Sequence, residues 1–87
     1  MYSREALIQN SVGLHARPAT AFIQKANEFN SSIWVENNQR RVNAKSLLGV
    51  LSLGITKDTT VLIIADGSDE ELAVNTLMEL LTKGLKD

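Results

Sequence analysis

Between residues 59 and 65 the chain reads TTVLIIA, and no other stretch is so committed to extended backbone. β-Branched side chains are stiff at χ1 and pack well on a pleated surface, so this run is the strongest strand in the chain and belongs at the centre of a sheet. The rest of the chain has to supply its neighbours and its cover. With 87 residues there is room for one layer of helices on one sheet and little for a second domain. Chains of this size hide roughly 60–65% of their extended surface on folding, enough to build a core without covalent staples.

The flanking segments fit that plan. YSREALI, residues 2 to 8, alternates polar and apolar positions near its end and predicts a strand, followed by a loop from Asn10 to Gly13. Ala19, Phe22, Ile23 and Ala26 then follow the i, i+3, i+4, i+7 spacing of an amphipathic helix starting at Ala16 and ending near Asn27. Pro18 suits its first turn, where a missing N–H costs little. Phe29 is expected to pack beneath the exit loop, with Asn30, Ser31 and Ser32 as turn residues. IWVE, residues 33 to 36, predicts a second strand, Asn37 and Asn38 a turn, and Arg40 to Asn43 a returning strand.

Lys45 to Leu53 predicts a short helix with Ser46 as N-cap, Leu47, Leu48 and Leu51 on one side, and Gly54 as its stop, although a strand competes over so short a span. After the central strand, Ser68 and Glu71 have the spacing of a capping box. Val74, Leu77, Met78 and Leu81 give the apolar stripe of a last helix that Gly84 ends. The order β-α-β-β-α-β-α in one short chain favours an α+β fold, an antiparallel sheet with three helices on one face, and a single domain over residues 1–87.

Composition narrows the function. There is no cysteine and one histidine, which argues against a disulfide framework, a thiol nucleophile and a transition-metal site. The N-terminal MYSREALIQN lacks a signal-like apolar run, and Val61 to Ala65 is too short to span a bilayer, so a cytoplasmic location is expected. Lys and Arg number 9 against 10 Asp and Glu, a formal net charge of -1, which gives no support to nucleic-acid binding. A βαββαβ nucleic-acid binder would also need aromatic residues on its open sheet face, and Trp34 alone is not a stacking platform. The positive charges are nonetheless concentrated early: Arg17, Arg40, Arg41 and Lys45 favour a basic surface suited to an acidic partner or a phosphate.

The only histidine and the only proline both fall in GLHARPA, residues 13 to 19. His15 immediately precedes the first predicted helical residue. The unpaired N–H groups of Ala16 and Arg17 at a helix start favour an anion, and the helix dipole acts in the same sense. The same positive end, with Arg17 nearby, disfavours the imidazolium, lowers the His15 pKa and leaves more neutral ring to act as a nucleophile. Arg17 adds a planar, permanently charged donor for phosphate oxygens. With no GxxxxGK[ST] loop and no acidic pair for magnesium, phosphate has to be delivered and removed by other proteins. No cofactor or metal is expected.

GLHARPA resembles the active-site signature of the HPr family, the histidine-containing phosphocarriers of the bacterial phosphoenolpyruvate-dependent sugar phosphotransferase system. VNAKSLLGVLSLGI, residues 42 to 55, resembles the regulatory serine segment of the low-GC Gram-positive members. The resemblance implies an open-faced β-sandwich with sheet order 1-4-2-3. It implies that His15 accepts phosphate on its δ1 nitrogen from phospho-enzyme I and donates it to the A domains of enzymes II, with Arg17 stabilising the group. It implies ATP-dependent phosphorylation of Ser46 by an HPr kinase/phosphorylase, a modified form that binds a catabolite control protein, and an enzyme I that docks with an acidic surface. Leu47, Leu48 and Leu51 would then form the docking patch, with leucines at 48 and 51 where many relatives carry methionine. A monomer is expected. A rival within the family is a regulatory paralogue that works through Ser46 alone; such paralogues lack the reactive histidine, and this chain has it.

Overall fold

The computed structural model describes residues 1–8, 16–56 and 58–84. Its elements are β1 (Tyr2–Leu7), α1 (Ala16–Ala26), β2 (Ser32–Asn37), β3 (Arg40–Asn43), α2 (Leu47–Ser52), β4 (Thr60–Asp66) and α3 (Glu70–Glu79), the last continuing into a π-helical turn over Leu80–Gly84. The four strands form one antiparallel sheet in the order β1-β4-β2-β3. β4, the TTVLIIA run, has β1 on one edge and β2 on the other, the central position expected for it.

Alternation along the strands divides the sheet into two faces. Ala6, Ile33, Val35, Val61, Ile63 and Ala65 point to the helical side and are buried in one core with Phe22 of α1, Val50 of α2 and Val74 and Leu77 of α3. Side chains such as Phe22, with none of its surface exposed, each contribute about 1.5–3 kcal/mol through burial. The opposite face carries Ser3, Ile64, Trp34 and Asn43 as one cross-strand row, and among the described residues the helices pack their core side chains on the other face. The architecture is an open-faced sandwich. The α1 stripe is as the spacing predicts, with Ala19, Phe22 and Ala26 buried and Ile23 half-buried.

Two local expectations shift. The hairpin between β2 and β3 turns on Asn38 and Gln39, with φ of 52° and 66°, one residue later than Asn37–Asn38. Asn37 instead pairs with Arg40, and the two left-handed residues between them give the turn whose twist matches the strands. The capping box of Ser68 and Glu71 does not form. α3 starts at Glu70 with Asp69 as N-cap, and Asp69 makes no capping bond of its own. Its carboxylate turns back to the α1–β2 connection, accepting the N–H of Asn30 at 2.8 Å, the N–H of Ser31 at 2.9 Å and the Ser31 hydroxyl. Ser31, read from the sequence as a turn residue, is 1% exposed, so its amide and hydroxyl need an internal acceptor and Asp69 supplies it. Glu70 takes the return bond, accepting from the Gly67 N–H at 3.1 Å.

This clasp leaves no room beside Gly67, where a Cβ would lie 2.7 Å from the Ser31 Cα and Oγ. Gly67→Ala and Asp69→Ala are each expected to lower Tm by about 5 °C, the first by collision and the second by leaving the Ser31 amide unpaired. The Ser31 hydroxyl and the Asn30 amide hold the Asp69 carboxyl below its ordinary value. A depressed carboxyl contributes stability that is present above its unfolded value of about 3.9 and is lost as pH falls through the lower folded value. The Tm gap between wild type and Asp69→Ala should therefore narrow in acid below about pH 4; a gap that stays constant there would contradict the clasp.

Candidate functional site

The sequence places the reactive group at the start of α1, and the fold fixes the chain on both sides of it. β1 delivers the chain to Ile8, which is fully buried, donates its N–H to the Thr59 carbonyl at 2.9 Å and accepts the Asp58 N–H at 2.8 Å. Asp58 makes this turn with φ of 69°, a left-handed conformation uncommon outside glycine. On the other side, α1 begins at Ala16, the residue after His15, with no acidic side chain in its first turn to offset the positive end of the dipole. His15 itself, and the side chains of Ala16 and Arg17, lie outside the described residues. α1 packs against α2 and α3.

Ser46 is where the sequence put it, at the N-cap of α2, with extended backbone at φ -109° and ψ 119°. Its hydroxyl accepts the Gly49 N–H at 3.2 Å and its carbonyl accepts the Val50 N–H at 3.0 Å. The approach to this cap is built by residues that sequence reading missed. Asn43 Oδ1 accepts the Lys45 N–H at 2.8 Å, and the Asn43 carbonyl accepts the Ser46 N–H at 3.1 Å, which turns the chain out of β3 into the helix. An Asn two residues before the bonded amide is the usual spacing of an Asx turn, so this signal was available in NAK. Lys45 crosses to the end of α1 and donates from Nζ to the Phe29 carbonyl at 2.8 Å. That contact joins the exit of α1 to the approach to Ser46, and nothing in the sequence pattern marks it.

The leucines divide. Val50 is buried and Leu53 nearly so, while Leu51 is half-buried against the core. Leu47 is 39% exposed and Leu48 is 82% exposed. One side of so short a helix cannot bury five apolar residues, and the two at its start are left in solvent beside Ser46. The start of α2 thus presents two exposed leucines beside a half-buried N-cap serine, reached from a strand that carries Arg40 and Arg41. Among the described residues, no group of three His, Cys, Asp or Glu side chains could hold a metal ion. No helix among them is long and apolar enough to cross a membrane.

Comparison with known proteins gives this geometry its class. The profile of the PTS HPr component phosphorylation site matches residues 2–83. The HPr-like protein Crh of Halalkalibacterium halodurans is 39% identical over 83 residues, covering 95% of this chain and 99% of that protein. The crystal structure of HPr from Thermoanaerobacter tengcongensis superposes with a TM-score of 0.93 at 44% identity, over 97% of this chain and 94% of that one. Phosphocarrier protein HPr from Bacillus anthracis superposes with a TM-score of 0.91 at 36% identity, over 93% of this chain and 96% of that one. Matching structures also include dimers of HPr and of Crh. The chain belongs to the HPr family, whose members are phosphocarriers of the phosphotransferase system.

Proposed function

We propose that the protein is an intermediate substrate in a phosphotransfer chain rather than an enzyme, accepting a phosphoryl group on His15 from phospho-enzyme I and passing it to enzyme II A domains for sugar uptake. The observation that carries this reading is the juxtaposition of GLHARPA with the first turn of α1: the helix starts at the residue after the only histidine, and that turn holds no carboxylate. A neutral imidazole there attacks phosphorus through Nδ1. The bond from Nδ1 to phosphorus forms as the donor's bond to the same phosphorus breaks, and the group leaves His15 when an acceptor on an enzyme II A domain attacks in turn. The backbone N–H groups of Ala16 and Arg17, and the Arg17 guanidinium, offset the charge that arrives.

Ser46 is the regulatory site in this reading, with an HPr kinase/phosphorylase as its modifying partner and a catabolite control protein as the target of the modified form. Leu47, Leu48 and Leu51 belong to the docking surface, with Leu48 the most accessible contact. The protein works as a cytoplasmic monomer. The similarity to Crh supports a second reading, a regulatory paralogue acting through phospho-Ser46 alone.

One experiment separates the two. Incubation with phosphoenolpyruvate and enzyme I should place an acid-labile, base-stable phosphate on the wild type and none on His15→Ala, and the label should move on to an enzyme II A domain. A wild type that stays unlabelled under conditions that label an HPr control would leave only the regulatory reading. Undiminished labelling of His15→Ala would show that the histidine assignment is wrong.

A further inference from the structure

α2 has six residues, whereas isolated helices shorter than about 12–15 residues are marginal in water. Its N-terminal end is held by the Ser46 cap. Its C-terminal end is held from the sheet. Arg40, the first residue of β3, donates from Nη1 to the Ser52 carbonyl at 3.0 Å and from Nη2 to the Ser52 hydroxyl at 3.4 Å. Ser52 Oγ in turn donates to the Gly49 carbonyl at 2.6 Å. Helix C-terminal carbonyls have no intrahelical donors and favour a cation, and the forked guanidinium serves the Ser52 carbonyl and the Ser52 hydroxyl together, where an ammonium would serve them less well. Among the described residues no carboxylate pairs with Arg40, while its neighbour Arg41 is paired with Glu36 at 3.2 Å. The hairpin sets Arg40 in register opposite Asn37, so the cation is presented from a fixed strand end.

We infer that Arg40 is a positioning residue for partner docking: it clamps the C-terminal end of α2 to the sheet, and so holds the surface formed by Ser46, Leu47 and Leu48 in its binding shape. The docking role of that surface rests on the function proposed above; the clamp on α2 does not. If the helix opens at its end, only the closed fraction binds, and apparent affinity falls by that fraction. The step that follows binding is untouched, because Arg40 acts only through α2.

The test compares wild type, Arg40→Ala and Arg40→Lys in two measurements. In phosphorylation by phospho-enzyme I, Arg40→Ala should raise KM about three-fold with kcat unchanged, and Arg40→Lys should recover part of the loss. The salt dependence of KM should keep its slope, because a residue that touches α2 and not the partner removes no intermolecular charge contact. In amide hydrogen exchange, Val50, Leu53 and Gly54 should exchange several-fold faster in Arg40→Ala, while amides of β4 stay protected. Unchanged exchange in α2 would overturn the clamp. A flattened salt slope would overturn the positioning role by making Arg40 a direct contact of the partner. If the wild type takes no phosphate from enzyme I, the proposed function fails and the docking role fails with it, while the exchange measurement still decides whether Arg40 holds α2.

Discussion

Arg17→Lys is expected to slow phosphoryl transfer through His15 about ten-fold or more, a loss of roughly 1.4 kcal/mol or greater in transition-state stabilisation. The substitution keeps the positive charge, so it separates charge from shape. A guanidinium offers two parallel N–H donors in the plane of a phosphoryl group that is changing partners, whereas an ammonium offers a point charge on a flexible stem. The measurement is rapid-quench transfer from phospho-enzyme I. Because the first turn of α1 has no carboxylate, Arg17 has no acidic neighbour within that turn to compete for it. Wild-type rates in Arg17→Lys would show that only net charge matters there, and that the geometric account of Arg17 is wrong.

Ser46→Asp is expected to lower kcat/KM for enzyme I phosphorylation of His15 by about ten-fold or more, mainly through KM, with Tm nearly unchanged. Structure and electrostatics make separate demands on this position. Aspartate is as good an N-cap as serine, so the bond now made by the Ser46 hydroxyl to the Gly49 N–H at 3.2 Å has a replacement. Gly49 leaves space at the cap, where a Cβ would sit at ordinary contact, 3.4 Å, from Ser46 Oγ. The fold therefore keeps its helix while the docking face acquires a negative charge opposite an acidic partner. Phosphoserine, with about -1.5 to -2 charges, should act in the same direction and more strongly. Raising the salt concentration should shrink the difference between Ser46→Asp and wild type, since screening weakens repulsion between exposed charges. An equal defect at all salt concentrations would locate the effect in packing.

What could be read from the chain follows how local each signal was. TTVLIIA had to be central because a run so rich in β-branched and aliphatic side chains needs burial, and β4 is paired on both edges. The α1 stripe and the Ser46 cap were legible because period and cap are properties of a few consecutive residues. Two misses were local, the one-residue shift of the hairpin onto Asn38 and Gln39 and the Asn43 turn before Ser46, and the others depend on distant partners. Ser68 and Glu71 had a valid capping-box spacing, but Asp69 is the N-cap of α3 and its carboxylate serves Ser31, 38 residues away in sequence. Lys45 and Arg40 were legible as part of a basic surface, but their bonds to the carbonyls of Phe29 and Ser52 were not. The division of the leucines was open in the sequence and is settled by α2's orientation, which buries Val50 and leaves Leu48 outside.

The claim under the phosphoryl-transfer predictions is that the His15 imidazole is kept neutral by the positive end of α1 and is therefore able to accept phosphate at cellular pH. The direct test is a titration of the His15 ring protons by NMR in the unmodified protein, from about pH 4 to 9. The account predicts a midpoint below the ordinary histidine value of about 6.5, because the helix end disfavours the imidazolium. A midpoint above about 7, with the ring protonated at neutral pH, would contradict it.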